Sequence, residues 1–332
     1  MNRPFFRLLG LLLLLFVDHA AAQMMRPPAF AGGIPGRAQM DAIFLQRHQA
    51  RTLLYREALD ELRKNPQAAD LPDCRAAQAG PCLATDAKTS AGKPVAQEGR
   101  RIALLFGNND YAKPIPPLET PIADVDRIAE LLAGRFGFST HVVRNAGQLK
   151  IVEELNRIAA TVQPEDSVLL FYAGHGYLME DIEMGFWIPV DASVKTAKGW
   201  ISNQDIAKML AAIPARQLIL ISDSCFSGTL TKEQKVADSS GGARDDLARQ
   251  RSVVVLSSGG DEPVSDEGKD GHSIFAWNLI RELHGMAGVT PGVRIWRTLR
   301  SEVSKEYPQE PQYGAVLSAG HVSGGDYLFR PQ

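Results

Sequence analysis

Gln217–Gly228 reads QLILISDSCFSG. Leu218 to Ile221 is an unbroken apolar run, the texture of a β-strand buried on both faces, and Ser222 and Asp223 end it. Two residues further on, Cys225 stands at the C-terminal edge of that strand, and Ser227-Gly228 break the pattern. In open α/β sheets this is the edge outside which ligands bind. A cysteine there is either a small core residue or a nucleophile. Its surroundings have to separate the two readings.

Upstream and downstream, strand and helix patterns alternate. Apolar runs at Ile102–Phe106, Phe138–Arg144, Asp166–Ala173 and Ser252–Leu256 read as further strands, with a short last one near Asp326–Phe329. Helical periodicity occupies Pro121–Ala133, Gln148–Thr161, Ile201–Ala212, Ser273–His284 and Val293–Glu306, and Met179–Val190 suits a hairpin. Alternation of this kind implies a mainly parallel sheet with helices on both faces. The expected fold class is therefore a three-layer α/β/α sandwich around a mainly parallel six-stranded sheet, with an N-terminal helical extension. Fold alone assigns no function.

The 332 residues are 45% hydrophobic and 22% charged, with a formal net charge of −2. That balance offers no global electrostatic case for nucleic acid or an anionic membrane. Residues 1–22 read as a secretory signal: Arg3 and Arg7, an apolar stretch Leu8–Val17, then Ala20-Ala21-Ala22 before Gln23. The apolar stretch is short for a membrane span, and an uncleaved anchor is the alternative reading. Export, to a periplasm or the exterior, is the expectation, with no span after cleavage. Residues 23–99 form the extension, in which Gln39–Lys64 has the spacing of an amphipathic helix and 65–99 the composition of a linker. Residues 100–331 form the main domain. Of three cysteines, Cys74 and Cys82 flank a short Pro/Gly-containing loop and are expected to pair as a disulfide in an exported chain. Cys225 is then the odd thiol.

The third strand ends Tyr172-Ala-Gly-His175-Gly176 and the fourth ends Asp223-Ser-Cys225. If the two are parallel neighbours, His175 and Cys225 project from one edge. Thiol catalysis needs such a pair: a thiolate attacks, and the imidazole activates it and protonates the leaving amine. The backbone N–H groups of Gly176 and Cys225 are candidates for an oxyanion hole. Each residue alone has a blander reading, a buried thiol and a loop histidine. Together, at matching strand ends, they read as a catalytic dyad.

On these motifs the chain resembles the caspase superfamily, and within it the metacaspase and orthocaspase branch. The resemblance covers about Arg101–Pro331: FYAGHG around His175, DSCFSG around Cys225, IPVD at Ile188–Asp191, ADVDRIAELL at Ala123–Leu132, and the closing PQYG and GGDYLF. The His175–Cys225 separation meets the roughly 50-residue spacing of that superfamily. It implies a cysteine endopeptidase with a caspase-like fold and protein or peptide substrates. Asp124 matches the family position whose carboxylate joins the pocket for the residue before the cut (P1), and Asp223, two residues before Cys225, shares a strand face with it. Two carboxylates favour a basic P1, Arg or Lys. Read locally, Asp124 is also an acid meeting a helix N-terminus, and Asp223 an acid that orients the dyad. Ala173 departs from the serine that many metacaspases carry there. His272 and His321 also follow glycines, but neither ends a convincing buried strand.

No cofactor is expected and no metal ligand set is assigned. Glu180-Asp181-Ile182-Glu183 is shorter than the acid-rich loops of calcium-requiring relatives and reads more simply as a solvated hairpin turn, with a calcium site as the alternative. The 229–251 loop holds Lys232, Lys235, Arg244, Arg249 and Arg251, so an Arg/Lys-directed enzyme is expected to cut itself after Arg244 or Arg249; a merely solvated loop is the alternative. The competing function is a non-catalytic caspase-like module that binds a partner through its N-terminal helix. A Cys-dependent phosphatase is excluded because Thr231 stands where its phosphate-binding arginine would be, and no Gly-rich nucleotide loop follows the first strand.

Overall fold

The structure, a computed structural model, describes residues 37–72, 99–224, 236, 250–259, 268–307 and 309–332. Helices α1 (Arg37–Leu54) and α2 (Arg56–Lys64) come first, then β1 (Arg101–Gly107), α3 (Pro121–Phe136), β2 (Ser139–Arg144), α4 (Gln148–Thr161) and β3 (Ser167–Ala173). Strands β4 (Gly176–Met179) and β5 (Met184–Trp187) form a hairpin, followed by β6 (Ile201–Ser202), α5 (Asn203–Ala212) and β7 (Gln217–Asp223). The chain continues through β8 (Ser252–Ser257), β9 (Gly268–Lys269), β10 (His272–Ser273), α6 (Ile274–Gly285), β11 (Thr290–Pro291), α7 (Gly292–Glu306), β12 (Gln312–Ala315) and β13 (Leu328–Phe329).

The central sheet has six strands in the order β12-β8-β7-β3-β1-β2, parallel throughout except for the β12–β8 pair. Side chains alternate across it, as a strand period of two requires. Val168, Leu170 and Tyr172 of β3 join Leu218 and Leu220 of β7 on one face, under α4 and α5. Leu169, Phe171, Ile219 and Ile221 lie on the other, under α3, α6 and α7. Both faces are covered, which is why β3 and β7 read as continuous apolar runs rather than alternating ones. The three-layer α/β/α architecture expected from the sequence is present.

Two elements differ from the expectation. The sixth strand of the sheet is β12, not the segment near Asp326–Phe329; β13 pairs with β11 in a separate two-stranded ribbon. Four residues with a glycine in the middle carry little strand signal of their own, and β12 is a strand because the edge of β8 offers it a ladder. The single helix expected over Gln39–Lys64 is two, broken at Tyr55. Helical hydrogen bonds still span the division, from the Tyr55 N–H to the Arg51 carbonyl and from the Leu59 N–H to the Tyr55 carbonyl (both 2.9 Å), and the Tyr55 ring is buried edge-on against Trp200 (5.2 Å between centroids) and Tyr177 (5.5 Å).

Through that contact α2 seats on the β4–β5 hairpin. Ala58, Leu59 and Leu62 pack with Tyr111, Leu178, Phe186, Ile188 and Trp200, and each fully buried leucine contributes roughly 1.5–3 kcal/mol. Polar contacts fix the orientation. Glu61 accepts from Thr196 Oγ1 (2.7 Å) and the Ala197 N–H (2.8 Å), and the Leu71 N–H donates to Asp205 (3.0 Å). Among the described residues, no helix is long and apolar enough to cross a membrane. The signal stretch, Cys74 and Cys82 lie outside the described residues.

Candidate active site

Strands β3 and β7 are parallel neighbours in the register Ala173 beside Asp223. Their ladder runs one step further, with the Gly174 N–H donating to the Asp223 carbonyl (3.2 Å). The chain thus reaches His175 and Ser224 from adjacent positions at one edge of the sheet. Cys225 and the 229–251 loop, apart from Val236, Gln250 and Arg251, lie outside the described residues.

His175 is held from several sides. Its N–H donates to Tyr111 Oη (2.8 Å), its carbonyl accepts from Tyr172 Oη (2.9 Å) and from the Ile188 N–H (3.0 Å), and its ring lies 4.6 Å from the Tyr111 ring. Nε2 is 2.9 Å from the Pro116 carbonyl. A carbonyl only accepts, so Nε2 carries the ring proton and Nδ1 keeps the lone pair. Burial pulls the imidazole down to about 3; the charge of Arg51, buried on α1, acts in the same direction, and the Pro116 hydrogen bond opposes both. The ring is neutral at neutral pH. It is a proton acceptor at Nδ1, held in one tautomer and one orientation.

The glycine before His175 has a packing role. A Cβ at Gly174 would meet Tyr111 Oη at 2.6 Å, Tyr172 Oη at 3.0 Å and Asn108 Cβ at 3.2 Å. Absence of a side chain lets both tyrosine hydroxyls reach the His175 backbone. On the other side, Gly176 stands opposite Trp187. The neighbouring His175–Ile188 position carries the ladder bond, so Gly176 is a non-hydrogen-bonded position whose N–H faces away from β5. An oxyanion donor must face outward in that way.

Asp124 and Asp223 come together. Asp124, in the first turn of α3, accepts from His272 Nδ1 (2.7 Å), and the Ser273 N–H lies 3.3 and 3.4 Å from its two oxygens. Asp223 Oδ2 accepts from Ser273 Oγ at 2.6 Å. Both carboxylates are almost fully buried. β10, two residues long, is too short to show in the sequence as a buried strand that would present His272. The signal was instead Asp270-Gly271, the dipeptide of a two-residue hairpin turn. Both residues have positive φ, 55° and 81°, as that turn requires, and it returns the chain so that His272 faces α3. His321 is structural: its Nδ1 accepts from the Val253 N–H (3.2 Å).

The acidic run Glu180–Glu183 forms the turn of the β4–β5 hairpin, and Asp181 there pairs with Arg63 of α2 (2.9 Å). Among the described residues, no group of three or more His, Cys, Asp or Glu is arranged to hold a metal ion.

A mostly parallel six-stranded α/β/α sandwich with a histidine at the β3 edge and an acidic pair beside it defines the class, a caspase-like peptidase domain. The chain belongs to the caspase domain family, whose description matches residues 100–319. Metacaspase-1B of Aspergillus fumigatus is 25% identical over 303 residues, covering 70% of this chain and 72% of that protein. Metacaspase-1A of Neurospora crassa is 26% identical over 200 residues, covering 54% of this chain and 43% of the other. Among solved structures, caspase-1 from Spodoptera frugiperda aligns with a TM-score of 0.48 at 13% identity, over 78% of this chain and 95% of that one.

Proposed function

We propose that the chain is a cysteine endopeptidase working through a His175–Cys225 dyad and cutting after Arg or Lys. The single observation that supports the dyad is the β3–β7 register, in which Ala173 lies beside Asp223 and each strand is two residues short of its candidate catalytic side chain. His175, with Nε2 on the Pro116 carbonyl, accepts the thiol proton at Nδ1 as sulfur attacks the scissile carbonyl. The low proton affinity of the buried ring rises as negative charge forms on sulfur and on the carbonyl oxygen, so the imidazolium is stable only when needed. It then gives the proton to the leaving amine. The N–H groups of Gly176 and Cys225 receive the oxyanion. Water enters, His175 deprotonates it, and the thioester is hydrolysed.

Convergence of Asp124 and Asp223 supports a basic P1 preference, since two buried carboxylates in one pocket reward a cation. Basic residues in the 229–251 loop make self-cleavage after Arg244 or Arg249 part of the proposal. So are export after removal of residues 1–22 and a Cys74–Cys82 disulfide, which leaves Cys225 as the free thiol. The test compares residues 23–332 with Cys225→Ala and His175→Ala on peptides with Arg, Lys or Asp at P1, in the presence of reductant. Turnover of basic peptides by the parent alone is the expected result. Background cleavage by all three proteins would instead leave a caspase-like binding module. A preference for Asp would remove the acidic pocket.

A further inference from the structure

Neither strand nor helix by itself accounts for how Asp124 and Asp223 are held. One comes from the first turn of α3 and the other from the last residue of β7. What joins them is the dipeptide His272-Ser273. Ser273 Oγ donates to Asp223 and accepts the Ala276 N–H (2.9 Å) as the N-cap of α6, which fixes that hydroxyl. Towards Asp124, the Ser273 N–H is at the long end of hydrogen-bonding distance. The short contact is His272 Nδ1, 2.7 Å from Asp124 Oδ1, with Asp124 buried and the imidazole partly exposed. A carboxylate oxygen only accepts, so Nδ1 bears a proton.

The hairpin that carries His272 is itself braced on α6. Trp277 Nε1 donates to Asp270 (3.3 Å), and Lys269 and Arg281 lie over the Trp277 ring at 4.6 and 4.4 Å. His272 is thus a donor on a fixed arm, aimed at one carboxylate of the pair.

Resting on the acidic-pocket reading above, we propose that His272 is a specificity-determining positioning residue: its Nδ1–H pins Asp124 against Asp223 and makes the pocket prefer arginine over lysine. Two carboxylates at fixed separation match the planar fork of a guanidinium, with several donors in set directions. An ammonium is a compact charge with rotatable donors and gains little from that fixity. A carboxylate has about four lone-pair sites, so the His272 bond is compatible with Asp124 also contacting a ligand. Without His272 the Asp124 carboxylate loses its 2.7 Å contact and is fixed less firmly in direction. It then follows an ammonium as readily as a guanidinium, and the discrimination is lost.

The experiment uses the full mature chain, matched peptides differing only in Arg or Lys at P1, and three variants. His272→Leu removes the donor, His272→Asn keeps an N–H near the Nδ1 position, and His272→Gln moves it outward. For His272→Leu the expected result is a rise in KM for the Arg peptide of roughly 10-fold, the low end for a hydrogen bond to a charged group. A smaller change in kcat, an Arg/Lys ratio falling toward one, and an unaltered iodoacetamide labelling rate of Cys225 are expected with it. His272→Asn is expected to restore the ratio and His272→Gln is not, a comparison that stands even where the leucine variant fails to fold. An unchanged ratio in His272→Leu, or equal ratios in the Asn and Gln variants, overturns the role of His272 and leaves the basic pocket intact. A parent protein with no basic preference overturns the pocket and this proposal together.

Discussion

Tyr111 and His175 are joined twice, by a 2.8 Å hydrogen bond from the His175 N–H to the phenol oxygen and by rings 4.6 Å apart. The phenol stands in for the strand partner that the His175 N–H would otherwise have across from Ile188. Tyr111→Phe leaves that buried N–H without an acceptor, at about 1–3 kcal/mol. The expected outcome is a drop in thermal midpoint and in kcat/KM, with KM changed less than kcat, read by calorimetry and peptide kinetics.

Gly174 is crowded by the same hydroxyl. Gly174→Ala forces its Cβ on to Tyr111 Oη and Tyr172 Oη, and overpacking of this kind costs typically about 1–3 kcal/mol. In a double-mutant cycle, Gly174→Ala with Tyr111→Phe is expected to be less destabilised than the sum of the two single changes. Strict additivity would mean that the crowding is relieved elsewhere.

Protonation of the site histidine has a defined sign. The folded-state value of His175, about 3, lies below its ordinary 6.5. Between those limits the unfolded chain binds the proton and the folded chain does not, so stability is lost as pH falls from 6.5 toward 3, by up to about 1.4 kcal/mol per pH unit. Burial lowers His272 and His321 too, and they add slope of the same sign. Urea unfolding at a series of pH values, compared with His175→Asn, isolates the His175 share; identical pH slopes for the two proteins would contradict the assignment.

Arg51 reaches this titration from outside the main domain. Its positive charge helps to hold the imidazole neutral, so Arg51→Met is expected to raise the His175 value and move the acid limb of the pH–rate profile to higher pH. An acid limb that stays in place would show that burial alone sets it.

Much of the site was legible because its elements are long and strongly patterned. The apolar runs of β3 and β7 announce buried parallel strands, and the register that sets Ala173 beside Asp223 brings His175 to the edge at which β7 ends. Asp124 and Asp223 were legible as a pair only through the family resemblance; no local pattern says that the start of α3 meets the end of β7. Three things were not visible. β12 has no strand signal apart from the edge it docks on, the helix is divided at Tyr55 where no sequence breaker stands, and His272 sits on a two-residue strand. Only the Asp270-Gly271 turn marked that last one in the sequence.

The β7–β8 pairing, six residues in parallel register with every one of β8 buried, bears on how self-cleavage would look at the bench. Covalent continuity between Asp223 and Ser252 is not what keeps these strands side by side; the ladder and the two helical layers do that. A chain severed between them is expected to elute as a single species of unchanged size under native conditions and to separate into two fragments only in denaturant. Gel filtration alone would report such a processed protein as intact.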